Sequence, residues 1–220
     1  MQNSFMTLFP KEEQEKIAGA VRDAERMTSG EIVPFVVGQS DNYETAEWRA
    51  GAICGLLAFL AAAFLPYARG EWTRFDPLAV AASTLLIGGG AMLAVRLIPP
   101  VKRLFAGAHL MTRRVEQRAA EAFIGEEVFA TEKRTGILIF LSMMERRVLV
   151  MGDAGIHSRV RQDDWHEIIA LVVKAIHAGK PADGLVEAIR RCGALLAAHG
   201  VARTAGDTDE LADGLRIGKE

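Results

Sequence analysis

The chain has 220 residues and a formal net charge of −2, with Lys and Arg nearly balanced by Asp and Glu. That balance lacks the basic footprint that nucleic-acid binding requires, so no nucleic-acid partner is expected. The length allows one soluble domain plus a membrane element, and the two cysteines, Cys54 and Cys192, sit in separate segments where no disulfide is expected.

Lys11, Glu12, Glu13, Glu15 and Lys16 occupy the place where a signal peptide carries its apolar core, so the N-terminus is expected to stay in the cytosol. Pro10 suits a first helical turn, Ile17, Val21 and Ala24 recur at helical spacing, and Gly30 stops the pattern. A helix over 10–27 follows. Ile32, Val33, Phe35, Val36 and Val37 form an apolar, β-branched run read as a buried strand. Residues 41–49 are expected to turn helical and to feed the first of two charge-free apolar runs.

Those runs, Ala50 to Ala68 and Pro77 to Val95, are each 19 residues long. A helix of that length reaches roughly 28 Å, close to the hydrocarbon thickness of a bilayer. Core helices of soluble proteins usually carry polar residues on one face, and these runs are read as having none over five turns. Trp48, Tyr67, Trp72 and Phe75 flank them, where amphipathic rings favour the headgroup zone. Gly51 and Gly55 form a small-xxx-small pair, and Gly88, Gly89 and Gly90 allow a close helix approach. Arg96, Lys102, Arg103, Arg113 and Arg114 follow the second run, whereas in the connecting loop Arg69 and Arg74 are offset by Glu71 and Asp76. The basic excess places both termini in the cytoplasm and the loop 69–76 on the other side.

Beyond the hairpin, Val115, Ala119, Ala122, Phe123 and Val128 predict an amphipathic helix over 110–129. Ile137 to Leu141 and Arg147 to Met151 read as strands joined by a tight turn at Met144, Glu145 and Arg146. A helix runs from Asp163 to Ala178, with Asp163 or Asp164 as N-cap, and Gly179 ends it. Pro181 starts a last helix that ends near His199 and Gly200. Residues 201–220 are polar, Asp- and Gly-rich, and are read as disordered. Segments 1–49 and 101–200 then form two parts of one α/β domain, interrupted by a membrane hairpin over 50–100.

Several segments taken together resemble a known family. They are F-P-K-E-E-Q-E-K-I-A-G-A-V-R-D-A-E near the start, T-S-G-E-I at Thr28 to Ile32, R-T-G-I-L-I-F-L-S at Arg134 to Ser142, E-R-R-V-L-V-M-G-D-A-G-I at Glu145 to Ile156, Trp165, and G-L-V-E-A-I-R-R-C-G-A-L-L-A-A-H at Gly184 to His199. The set resembles the TPM domain family (DUF477), in its bacterial branch with a two-helix transmembrane insertion. The resemblance implies an α/β fold with a central sheet packed between helices, in the bacterial cytoplasmic (inner) membrane. Some members are described as acid phosphatases or as accessory factors in membrane-complex assembly or repair, and others bind a divalent metal. Many carry G-Y-G-L-E-G after the third strand. Here Gly152, Asp153, Ala154, Gly155, Ile156 and His157 stand there, so the family glutamate falls nearest His157 and the acidic site does not transfer directly.

Asp153 follows a strand and precedes Gly155, at a strand end where functional loops gather. With Glu31 at the start of the first strand, and Asp163 and Asp164 further on, it offers oxygens to Mg²⁺ or Ca²⁺. Carboxylates around such an ion suit phosphate-ester hydrolysis by charge neutralisation and water activation. Arg134, with Lys133 and Gly136, could bind phosphate through a bidentate guanidinium. Trp165 reads as a packing anchor or as the wall of a binding cleft. His157 and His166 have no zinc-ligand spacing, and no nucleophile elbow, phosphate loop or C-x-x-C pair appears. Each carboxylate also has a structural reading, as an Asx turn, a helix cap or a solvated strand end.

Two functions follow. The first is a membrane-tethered, non-catalytic binding or assembly module for a membrane-associated partner, using the loop around Asp153. The alternative is a metal-assisted phosphatase using Asp153 and Glu31, which requires the two carboxylates to reach one ion. A transporter or channel is disfavoured, because neither apolar run contains an Asp, Glu, Lys, Arg or His.

Overall fold

The computed structural model describes residues 7–70, 76–161, 163–201, 203 and 210–218. Trp72, Phe75, Glu71 and Arg74, which the sequence places in the loop between the apolar runs, lie outside the described residues, as does most of 201–209. The elements in chain order are α1 (Lys11–Glu25), β1 (Glu31–Val37), α2 (Glu44–Ala68), α3 (Pro77–Leu97), α4 (Pro99–Ala106), α5 (Ala108–Gly125), β2 (Gly136–Ser142), β3 (Arg147–Gly152), α6 (Ala154–His157), α7 (Asp164–His177), α8 (Pro181–Ala198) and β4 (Arg216–Ile217). They fall into two compact units, one built from Met1–Asp41 and Arg113–Glu220, the other from Asn42–Thr112.

The first unit is a mixed α/β structure around a four-stranded sheet in the order β3-β2-β1-β4. β1 and β2 are parallel, with Glu31 opposite Gly136 and Phe35 opposite Phe140. β2 and β3 form the antiparallel hairpin, pairing Ile137 with Gly152 and Ser142 with Arg147. Every residue of β1 and of β2 is buried, which explains their unbroken apolar runs. β3 alternates between half-buried and buried positions, as an outer strand does.

Alternate side chains of one strand point to opposite faces, so the apolar runs feed two cores. Ile32, Val36, Ile137, Ile139 and Leu141 meet Ile17 and Val21 of α1, Trp165, Ile168 and Val172 of α7, and Leu185, Ile189 and Leu196 of α8. Val33, Phe35, Val37, Leu138 and Phe140 meet Val115, Ala119 and Ala122 of α5 on the other side. The register partners Phe35 and Phe140 stack there, with ring centroids 5.8 Å apart and planes at 15°.

The stretch read as a disordered tail contributes to this unit. Arg216 and Ile217 pair in parallel with Phe35 and Val36, and Gly218 N–H donates to Val36 O at 2.9 Å. Leu211 packs on the α5 side of the sheet, and Arg216 Nε donates to Glu126 Oε2 at 3.2 Å. A bare edge of β1 would leave backbone donors and acceptors without partners, and this strap supplies them. Polar composition marked the segment as unable to build a core. It gave no sign that a ready sheet edge would order it.

The second unit is the hairpin. α2 and α3 are 25 and 21 residues long, and by length and composition each is long and apolar enough to cross a membrane. The helix starts six residues before the predicted span, since Glu44–Arg49 joins it continuously. The two helices cross where side chains vanish. A Cβ on Gly51 would lie 2.6 Å from Met92 Cγ, and one on Gly88 would lie 3.1 Å from Gly51 O and 3.4 Å from Gly55 Cα. Gly89 and Gly90 point elsewhere, with nothing within 4 Å of a Cβ. The second apolar run is not wholly without polar side chains: Ser83 and Thr84 lie in it. Their hydroxyls donate to Val80 O at 2.9 and 2.8 Å, so the helix satisfies them internally. Asp76 caps α3 by accepting from Leu78 N and Ala79 N, and Pro77 fills the first turn.

Candidate functional site

Glu31, Gly136 and Asp153 lie across one end of the sheet, at the starts of β1 and β2 and just past the end of β3. Glu31 N–H donates to Thr135 O at 3.2 Å, and Asp153 N–H donates to Gly136 O at 2.9 Å. β2 therefore stands between the two acids, and two strand spacings put their backbones roughly 10 Å apart. Their side chains are engaged with different neighbours. Asp153 accepts from Arg134 Nε at 2.5 Å, from Arg134 Nη2 at 3.0 Å and from its own helix start, Ala154 N, at 2.7 Å. Glu31 Oε2 accepts from Leu211 N at 3.3 Å. Both residues are 6% exposed.

The motif residues around Asp153 interlock through the backbone. Arg134 adopts a left-handed φ of 55°, which turns the chain into β2. Gly155 N–H donates to Arg134 O at 2.9 Å, and a Cβ on Gly155 would lie 2.6 Å from both Arg134 O and Lys133 O. A Cβ on Gly136 would sit 1.8 Å from Val128 O, an impossible approach. R-T-G and G-D-A-G are thus two halves of one clamp, with Asp153 as its charged pin. The Arg134 guanidinium lies 5.9 Å from the Phe129 ring centroid, and its bond to Asp153 pushes its pKa further up. Arg134 therefore holds a carboxylate of its own chain where a phosphate contact was expected.

The other candidates stand apart from this pair. Asp163 is 82% exposed in its side chain and approaches His166 Nδ1 at 3.5 Å; it makes no side-chain cap bond. Asp164 accepts from Arg161 N at 3.0 Å and lies 3.8 Å from His199 Nε2. Trp165 is 5% exposed inside the core formed with α1 and α8, so it packs the fold. Among the described residues, no three His, Cys, Asp or Glu side chains are grouped to hold a metal ion. An apolar pocket of about 410 Å³ lies in the hairpin, lined by Phe59, Pro77, Val80, Ala81, Thr84 and Leu85, and offers no titratable group.

Residues not singled out from the sequence gather at the opposite end of the sheet. Ser142, at the carboxyl end of β2, donates its hydroxyl to Glu145 Oε2. Glu145 Oε1 accepts from Ser40 N at 2.9 Å, and the Ser40 and Ser142 hydroxyls are 2.8 Å apart. Ser142 is fully buried and Glu145 is 6% exposed. Carboxyl ends of parallel strands are where open α/β sheets place ligands. Here the three groups bond to one another and tie the loop after β1 to the β2–β3 turn. The one sequence signal was the serine closing the otherwise apolar I-L-I-F-L-S run.

A sheet packed between helices, with a long apolar hairpin inserted after its first strand, defines the class of protein. Residues 105–195 match the family model described as the TPM domain. The match spans β2, β3, α7 and most of α8, while β1 and α1 precede the insertion. No curated protein matches the chain. The fold is similar to the NMR structure of BA42 protein from the psychrophilic bacterium Bizionia argentinensis, with a TM-score of 0.58 and 20% identity over 95% of this chain and 94% of that one.

Proposed function

We propose that this chain is a TPM domain anchored in a bilayer by its helical hairpin, acting as a non-catalytic binding or assembly module for a membrane-associated partner. The carrying observation is the engagement of Asp153. Its carboxylate is bonded to Arg134 and to Ala154 N, inside a motif whose glycines are dictated by backbone packing. A structural clamp accounts for those residues without a reaction. The tether is supported by the hairpin surface, where most of each apolar helix is left uncovered by the protein and Leu85 and Leu86 are 75% and 76% exposed. Exposed leucines in that number favour lipid over water.

The competing phosphatase needs Glu31 and Asp153 around one ion, with each oxygen about 2.0–2.6 Å from the metal. Strand β2 between them and their separate bonding partners speak against that arrangement. The test is phosphate release by the detergent-purified chain from mildly acidic to neutral pH, with Mg²⁺, Ca²⁺ or chelator, beside Asp153→Asn. No metal-dependent turnover, followed by cross-linking of the native chain to one membrane protein, supports the module. Metal-dependent release lost in Asp153→Asn would overturn it and establish the hydrolase.

A further inference from the structure

The short helix α4 has its polarity turned inside out. Lys102 and Ala106, one turn apart, are buried, while Leu104 is 76% exposed and Pro100 lies on the exposed side with it. A helix that faces water does the reverse, putting leucine in and lysine out. The fold holds α4 in this orientation. Ile98 is extended and the Pro99-Pro100 pair breaks the continuation of α3, so the chain turns at the end of the apolar helix. Lys102 Nζ then reaches Asn42 O at 3.4 Å, and Arg49 Nη1 donates to Phe105 O at 3.0 Å, fastening α4 to the beginning of α2.

This end of the hairpin joins exposed apolar side chains to an excess of cations. Trp48 is 70% exposed, Leu97 62% and Ile98 46%, continuous with the apolar surfaces of α2 and α3. Arg49, Arg96 and Arg103 lie in the same segments and outnumber Glu44 and Glu47 in the first turn of α2, and no Asp or Glu occurs between residues 77 and 112. Water would be a poor solvent for that face, and the hydrocarbon interior would be a poor one for its arginines. The boundary between acyl chains and headgroups suits both, since aromatic rings and aliphatic side chains enter it while basic groups meet lipid phosphate.

We infer that α4 is an interfacial helix that seats Leu104 and Trp48 at the acyl boundary and binds the phosphate headgroups of anionic phospholipids through Arg96 and Arg103. The inference rests on the reading of α2 and α3 as membrane spans. Basic residues near an anionic leaflet gain attraction that neutral lipids do not supply. The headgroup layer would then fix the depth of the hairpin at this end.

The experiment uses the full chain carrying Cys54→Ala and Leu104→Cys, labelled at position 104 with an environment-sensitive fluorophore. It is reconstituted in vesicles of phosphatidylcholine alone or with one quarter phosphatidylglycerol, and the Cys54→Ala chain sets the background. The expected result is resistance to alkaline extraction, with emission shifted to the blue and quenched by lipids brominated high on the acyl chain. The shift should grow with phosphatidylglycerol, and Arg96→Gln with Arg103→Gln should abolish that growth while leaving extraction resistance intact. Water-like emission in a chain that resists extraction would overturn the interfacial helix and leave the spans standing. Release by alkali would overturn both. A blue shift in native membranes that is absent from pure-lipid vesicles would overturn the lipid assignment and give the face to a protein partner.

Discussion

Arg134 and Asp153 meet side by side, Nε to Oδ2 at 2.5 Å and Nη2 to Oδ1 at 3.0 Å, joining the start of β2 to the residue that follows β3. The Asp153 side chain is 7% exposed, whereas that of Arg134 is 55% exposed. The aspartate is therefore the demanding partner. Asp153→Ala is expected to destabilise the protein by about 2 kcal/mol, through lost hydrogen bonds of a buried charged group. Arg134→Gln should cost at least as much, because it leaves the 7% exposed Asp153 carboxylate without its cation, whereas Asp153→Ala leaves a half-exposed arginine that water can solvate. Urea unfolding of the detergent-solubilised chain measures both. An unchanged midpoint in Asp153→Ala would free that carboxylate for a ligand role.

The clamp also makes a steric prediction. Gly136→Ala brings a methyl within 1.8 Å of Val128 O, a backbone atom that cannot rotate away. Overpacking of this kind is expected to cost about 3 kcal/mol or more. Gly125→Ala is the control, because nothing lies within 4 Å of its Cβ and alanine is the better helix former. Thermal unfolding should separate the two, with only Gly136→Ala losing its cooperative transition at lower temperature.

In the hairpin, Gly88→Leu should drive α2 and α3 apart, because Gly51 O lies 3.1 Å from the first added atom. Gly89→Leu, one residue on, should be tolerated. Disulfide trapping between cysteines placed at Ala58 and Val80, both buried in the hairpin, reports the difference. Equal trapping in the two variants would mean that small residues do not set the approach.

Cys192 is fully buried on α8, and burial pushes its thiol up to about 12 from an ordinary 9.0. The folded chain then holds this proton more tightly than the unfolded chain does. Its contribution to stability is complete below the unfolded value of 9.0 and is lost as pH rises from there towards about 12. Cys192→Ala should flatten the alkaline decline of the unfolding midpoint by up to one proton. The same burial predicts that a maleimide reaches Cys192 only after denaturation, which mass spectrometry would read directly.

The C-terminal strap yields the last expectation. Ending the chain before Glu210 removes the Leu211 N–H bond to Glu31, the bonds that Glu132 N–H donates to the Glu210 carboxylate, and the β4 pairing with β1. Amide exchange in Phe35 to Val37 should accelerate, and the truncated chain should self-associate through the uncovered edge. Unchanged exchange would mean that β1 does not depend on the strap.

Periodicity and composition by themselves determined β1, β2 and β3, the four long helices α1, α5, α7 and α8, and the apolar hairpin, because burial imposes a repeat of two on strands and 3.6 on helices. The short helices α4 and α6 and the strand β4 were not legible in them. Even the small-residue contact was legible at Gly51, Gly55 and Gly88, since close helix approach tolerates few side chains. The bonding of Glu31 and Asp153 was not. Which carboxylate meets which cation depends on strand order across β2, and residues 122 positions apart in sequence carry no local trace of it. Tertiary structure alone set Arg134 against Asp153, placed Trp165 in the core, and joined Ser40, Ser142 and Glu145. It also ordered Arg216 and Ile217. Two residues cannot specify a strand, and an unpaired sheet edge with matching backbone groups can.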